Sequence, residues 1–458
     1  MSRSDATLYA VSRLEGLSSG VFRLEAQNAT SNLPAQSVIR VTLPNNALLD
    51  VHSLAWHFDA STTSGAAGTV GCRLPNKIET MINRVSVQIG GVEVAAGCNF
   101  YNILCHVKDV VDGNWADDYG MNHPTIISGS VLDLNYVGGI VLTTEEVTGF
   151  VGREAYYCVN NWYGFIGECQ PRVLDSSSVG DIVVTLFLEQ PNLCLTMSDN
   201  VGTAAGFVTS ALLGGALPNY VINNVYFTIR SYNLSDGTYE AMTDSAMASS
   251  PGGLEMGFKQ YSSFRDLNTG ATRFSLATQS LDACYTAIHE NVTPSGATQH
   301  PVNEFGGLEI LDGAAIPRTV PGQATLQYLH PYTQFPAPTA AAGQAVEFQY
   351  SLNSATYPMY RMTRNDVYQV LRLAGKEDAP GCKKWGYQQF IQDHFVCGIK
   401  LTMDAYNARD IQGLNTRGIS LNGFFNIFNA NVDSHVTLFV EQTSSLFIDG
   451  GRQISVIN

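Results

Sequence analysis

Residues 82–94 read INRVSVQIGGVEV, and residues 99–104 that follow read NFYNIL. In the first stretch Val85, Val87 and Ile89 alternate with Ser86 and Gln88, the period of a strand with one face in a core. Gly90-Gly91 then supplies two successive residues that take positive φ without strain. A two-residue hairpin turn needs that, so strand 85–89 is expected to fold back on 92–94. Directly afterwards the period lengthens. Over 99–111, Phe100, Ile103, Leu104, Val107 and Val111 form one apolar face of a helix.

The same order returns in the second half. A strand pattern over 346–352 precedes a helix over 364–374, with Thr363 at its N-cap and Asp366 three residues on. Val367, Val370, Leu371 and Ala374 form the stripe, and Gly375 closes it. Around these helices the signals are those of strands: 21–26, 38–43, 48–58, 156–160 and 182–189 in the first half, and 221–231, 324–330, 398–404, 435–441 and 453–457 in the second. In SVIRVTL, Val38, Arg40 and Thr42 oppose Ile39, Val41 and Leu43. Such runs, punctuated by Gly, Pro and Asn, indicate antiparallel sheets in sandwiches, and no βαβ alternation suggests a parallel sheet.

The expected organisation is therefore two similar strand-rich units, each with one prominent helix. Residues 1–30 are expected as an N-terminal arm, 31–200 as the first unit, 201–220 as an uncharged linker and 221–458 as the second unit. The second unit carries two long irregular insertions. One covers 291–323, with Pro294, Pro301, Pro317 and Pro321; the other, 331–343, reads PYTQFPAPTAAAG.

Composition narrows the function. In 458 residues, 25 Lys and Arg stand against 40 Asp and Glu, a formal charge of −15. The first twenty residues hold only Arg3 and Arg13. Binding of nucleic acid rests on cations meeting phosphates, so no direct nucleic-acid contact is expected. Charged residues are only 14% of the chain, against about 25% in an average soluble domain, and the deficit is filled by Gly, Ser, Thr, Asn and Gln, which favour turns and sheet surfaces over solvated helices. Nine cysteines without a CxxC pair read as reduced, mostly buried thiols, and no secretory leader is recognisable at the N-terminus.

Catalytic patterns do not assemble. There is no GxxxxGK[ST], GxGxxG or GxSxG. His289-Glu290 begins like a zinc-protease motif, but Thr293 stands where the second histidine belongs. Cys98, Cys105 and His106 are close in sequence, yet His106 leaves the helix on another side and a fourth ligand is missing. The pairs Glu145-Glu146 and Asp117-Asp118 read as solvated loop charges. No catalytic, cofactor-binding or metal-binding residue is assigned.

Together these stretches resemble double jelly-roll major capsid proteins of double-stranded DNA viruses, of the polinton-like virus and virophage type. In that family an "(L/I)I-x-R-V-x-V-x-I-G-G" strand leads into a "Y-N-x-L" helix, matched by Gly90, Gly91, Tyr101, Asn102 and Leu104. An "N-S-x-x-Y-P-x-Y" stretch before a helix is matched at Asn353, Tyr357 and Pro358. VYFTIRSYNL at 225–234 resembles the opening of the family's second jelly roll, and 417–458 resembles its closing strands.

The resemblance spans 82–458 and implies an all-β fold of two consecutive antiparallel eight-stranded jelly rolls with a few short helices. Three copies would form a pseudo-hexameric capsomer, so the implied partners are two further copies, neighbouring capsomers, and penton and minor capsid proteins. The implied place is the shell of an icosahedral virion, after synthesis in the host cytoplasm, with contact to an internal membrane left open. Helix 99–111 is then expected to cap the open end of the first sandwich, and Tyr357-Pro358 to end a strand. The insertions become candidates for an outward tower and for contacts between protomers. The competing reading is a β-sandwich that binds or cleaves carbohydrate, with Trp162-Tyr163 or Trp385 as stacking platforms for sugar rings.

Overall fold

The computed structural model describes residues 17–28, 31–63, 70–73, 78–95, 98–112, 155–190, 196–199, 219–234, 254–267, 270–290, 309–310, 327–328, 345–374, 387, 390, 395–402, 411–417, 422–430, 434–448 and 453–457. Among the described residues, eight strands form the main paths of the first unit's two sheets, and the short strands Leu33–Pro34 and Val173–Asp175 add to the first of them. The eight are β1 (Leu17–Glu25), β2 (Val38–Thr42), β3 (Leu48–Thr63), β4 (Ile82–Ile89), β5 (Val92–Ala95), β6 (Ala155–Val159), β7 (Ile182–Leu188) and β8 (Asn219–Leu234). The second unit repeats these eight main strands, with Ile454–Ile457 added to its first sheet. Its main strands are β9 (Leu254–Leu267), β10 (Ala271–Phe274), β11 (Leu281–Glu290), β12 (Glu347–Leu352), β13 (Ala355–Met362), β14 (Val396–Lys400), β15 (Gly423–Phe428) and β16 (Ser434–Ile448).

Their pairing shows one permutation used twice. The first unit has sheets β1-β8-β3-β6 and β2-β7-β4-β5; the second has β9-β16-β11-β14 and β10-β15-β12-β13. In both, the first strand pairs with the last along its whole length: Leu17↔Leu234 to Glu25↔Tyr226, and Leu254↔Ile448 to Leu267↔His435. All these pairings are antiparallel, and each unit is an eight-stranded jelly roll. In both, the long helix joins the fifth strand to the sixth: α1 (Tyr101–Asp112) after β5, and α3 (Arg364–Ala374) after β13. A short helix, α2 (Phe165–Glu168), follows β6. Apart from the rolls, Val70–Arg73, Thr196–Asp199, Glu309–Ile310 and Gln327–Tyr328 form a small sheet of their own.

Burial follows the strand period where one face is wet. On β2, Ile39 and Val41 are buried while Val38 and Arg40 are exposed. On β11 the alternation disappears, because residues from Leu281 to Ile288 are buried on both faces.

Several expectations are corrected. Residues 17–25 are not part of an arm: they form β1, paired throughout with β8. Strand 219–234 does not open the second roll. It lies between β1 and β3 as the last strand of the first, where Ile222, Val225, Phe227 and Ile229 complete the buried face. The segment 201–220 therefore belongs to the connection from β7 to β8, with 201–218 outside the described residues, and the two rolls are joined through 235–253, also outside them.

Helix α1 starts at Tyr101 and not at Asn99, since Phe100 takes a left-handed φ of 63°. Tyr357-Pro358 lies inside β13 instead of ending a strand. Of strand 324–330 the described part is Gln327–Tyr328, in the small sheet. The insertions 291–323 and 331–343 lie outside the described residues except for Glu309–Ile310.

Candidate functional site

The hairpin turn expected at Gly90-Gly91 and a second one at the motif residue Asn353 occupy equivalent places in the two rolls. Gly90-Gly91 joins β4 to β5 with φ of 56° and 82°, and Ile89 pairs with Val92 across it. Asn353-Ser354 joins β12 to β13, with Asn353 at φ 55° and Leu352 paired with Ala355. Each turn is pinned differently. A Cβ on Gly90 would come within 2.9 Å of the Ile454 side chain and 3.0 Å of the Val179 carbonyl, whereas one on Gly91 would meet open space. The strand Ile454–Ile457, paired with β16 of the second roll, thus packs directly on the first roll's turn. Asn353 instead clamps Asn422: its N–H donates to the Asn422 carbonyl at 3.0 Å, and its Oδ1 accepts from the Asn422 N–H at 2.9 Å.

Tyr101, Asn102 and Leu104 fasten the start of α1. The buried Tyr101 hydroxyl accepts the Tyr163 N–H at 2.9 Å. Asn102 Nδ2 donates to Glu189 Oε2 at 3.0 Å, and Asn83 Nδ2 donates to the same oxygen at 2.5 Å, which ties the helix to the end of β7. Leu104 lies in the core. From β12, Gln349 Nε2 donates to the Pro358 carbonyl of β13 at 3.4 Å, and the two residues after Pro358, Met359 and Tyr360, stand 95% and 53% exposed.

Tyr101 and Leu104 border a junction between the two rolls. Helix α1 does not cap one sandwich; it is a wedge between two. Its residues from Tyr101 to Val111 are buried, including His106, Lys108 and Asp109. Lys108 reaches the second roll, where its Nζ lies 3.4 Å from Glu441 Oε2 on β16 and 3.9 Å from Glu168 Oε1 on α2. The rings of Tyr163, Tyr261 and Tyr285 lie 5.6–5.8 Å from the same Nζ.

Beside it, Lys259 Nζ on β9 donates to Asp282 Oδ2 at 2.6 Å and to Thr443 Oγ1 at 2.9 Å. Asp282 also accepts from Ser280 Oγ at 2.5 Å. The Tyr261 hydroxyl donates to Glu168 at 2.8 Å, and Tyr163 donates to Asp109 at 2.9 Å.

Backbone and rings complete the contact. Gln170 and Gly257 exchange N–H···O bonds of 2.7 and 3.0 Å between the rolls, and Phe165 meets Phe258 edge-on at 5.2 Å. A cavity of about 30 Å³, room for about one water, remains between Val85, Val87, Tyr101 and Lys259.

A buried ionic network of this kind adds little net stability over an apolar contact, yet removing one partner strands a charge and costs about 3–5 kcal/mol. Lys108 and Glu168 come from the first roll and Lys259 and Glu441 from the second, so the network bridges the two. The signal for Lys108 was present in the sequence as a charge on the apolar face of 99–111, four residues after Leu104. Lys259, Asp282 and Glu441 carried no such signal, because isolated charges in strands normally face water.

The cysteines and the proposed sugar platforms are accounted for. Burial pushes the Cys98 thiol up to about 12, and Cys105 is raised as well by burial and by the Glu79 and Asp109 carboxylates. Both are neutral thiols at ordinary pH. Trp162 and Tyr163 are buried, with the indole N–H donating to the Leu54 carbonyl at 2.7 Å, so neither offers a stacking face; Trp385 lies outside the described residues.

Comparison with solved structures places this architecture. Over 98% of this chain and 98% of the other, it superposes on the quasi-atomic model of the PBCV-1 virus capsid with a TM-score of 0.56 at 12% identity. The Faustovirus major capsid protein matches over 96% and 92% with a TM-score of 0.56 at 9% identity. The Sputnik virophage structure matches over 98% and 89% with a TM-score of 0.51 at 11% identity. The chain has the double jelly-roll fold. No family model and no curated protein sequence matches it. The likeness to these double jelly-roll structures runs almost end to end, so it covers both rolls and the waist between them.

Proposed function

We propose that this chain is a major capsid protein, a structural subunit that associates in threes to build the pseudo-hexameric capsomers of an icosahedral double-stranded DNA virus. The observation that carries the reading is the doubled permutation: one chain holds two rolls of the same strand order, with the connecting helix in the same place in each. Three such chains around an axis present six similar lobes, and six lobes tile a shell as hexagons do. The structures that share this fold over nearly the whole chain include one described as a virus capsid and one as a major capsid protein.

Other features support the same role. A fixed placement of the rolls is what a pseudo-hexagon requires, and the waist network supplies one. The low content of charge suits broad contacts between copies. The excess of acidic residues keeps free subunits soluble and mutually repulsive before assembly. In this reading the partners are two further copies, neighbouring capsomers, and penton and minor capsid proteins. The insertions 291–323 and 331–343 supply the outward tower and contacts between copies, and the chain works without a catalytic step.

Size-exclusion chromatography with light scattering on the purified chain is expected to give a stable trimer. A monomer that binds immobilised glycans would contradict the proposal and favour the carbohydrate reading.

A further inference from the structure

The cluster at the waist holds more acid than base. Around Glu441 on β16 stand Lys108 of α1, Glu168 of α2, Lys259 and Tyr261 of β9, and Asp282, Cys284 and Tyr285 of β11. Two of these groups are cations, while Glu441, Glu168 and Asp282 are carboxylates. Burial keeps the Tyr261 hydroxyl and the Cys284 thiol neutral.

The three carboxylates are not equally supplied with donors. Asp282 receives Lys259, Ser280 and Thr443. Glu168 receives the Tyr261 hydroxyl and the Gly164 N–H, and its side chain is 19% exposed. Glu441 is fully buried; Lys108 lies 3.4 Å from Oε2, and Lys259 is 3.7 Å from Oε1, which has no hydrogen-bond partner among the described residues. A buried oxygen with no donor is the place where negative charge is least well solvated.

We propose that this waist is a proton-binding site: Glu441 takes up one proton from solution before exposed carboxylates do as pH falls, and the two rolls hold together most tightly in that protonated state. Burial favours the neutral acid, and the attraction of Lys108 and Lys259 opposes it without cancelling it. The sign follows from linkage. An acid whose folded pKa is raised binds more protons folded than unfolded between its ordinary and its raised value. Stability therefore rises as pH falls through that interval and is lost as pH climbs back through it. The inference is independent of the capsid assignment, because it concerns one chain.

The test is unfolding of the full chain by denaturant from about pH 4.5 to about pH 8, in wild type, Glu441→Gln and Lys108→Met. Wild type is expected to gain stability as pH falls across the upper part of that range, and Glu441→Gln to lose the gain. Lys108→Met removes a cation that favours the charged form, so the gain should move to higher pH. Infrared spectra of wild type alone give a readout that does not depend on a variant folding. A carboxylic-acid C=O band should grow in at a pH above the ordinary carboxylate range. Parallel pH curves for wild type and Glu441→Gln, a downward move in Lys108→Met, or no such band above that range would overturn the proposal.

Discussion

At the scale of single residues, position decides what a glycine is worth. Gly90 and Gly91 are neighbours with positive φ, yet only Gly90 faces Ile454 and the Val179 carbonyl. Gly90→Val therefore combines backbone strain with a close contact to the second roll, and is expected to cost about 2–4 kcal/mol in a denaturation experiment. Gly91→Ala meets open space and is expected to cost about 1 kcal/mol, from the backbone alone. Equal losses at the two positions would show that the packing of Ile454 contributes nothing. The turn itself was legible in the sequence, because Gly-Gly between alternating strands has a local cause. Its contact with residue 454 was not, since nothing near residue 90 announces a strand from the far end of the chain.

Among elements, α1 shows the same limit more sharply. Its apolar stripe over 99–111 was readable, but its burial on the other side was not, because that side is covered by a second roll supplied from residues 254–448. Strands β9 and β11 do not show a clean period of two for the same reason: both faces are covered over 256–259 and 281–288, so Lys259 and Asp282 look like solvent charges and break the pattern. Strand β8 is legible as a strand, but its place in the first roll is not. Its pairing of Ile229 with Phe22 spans most of the first unit, and periodicity carries no information about partners.

The wedge yields a prediction at this scale. Lys108→Met leaves Glu441 and Glu168 short of a cation, and near neutral pH is expected to destabilise the chain by about 3–5 kcal/mol. Hydrogen exchange should then show β9 and β16 losing protection while the outer strand β2 keeps it. Uniform loss across both rolls would mean that the helix serves general stability and not the junction.

For the whole molecule, the recurrence of one strand permutation in both halves outweighs any single motif. Four sheets built as first-last-third-sixth and second-seventh-fourth-fifth, twice over, give a chain with two matched lobes. The resemblance read from 82–458 and the end-to-end superposition on the PBCV-1 capsid model meet at that point. If the insertion 291–323 contributes contacts between copies, a chain lacking it should still fold, with unchanged circular dichroism, but should sediment as a monomer. A deletion that leaves trimers intact would remove that segment from the interface.

The most direct measurement is electron microscopy of the purified chain with class averaging. Threefold particles with a hexagonal outline and six nearly equal lobes are expected; particles with two lobes, or rings of any other order, would contradict the capsid assignment.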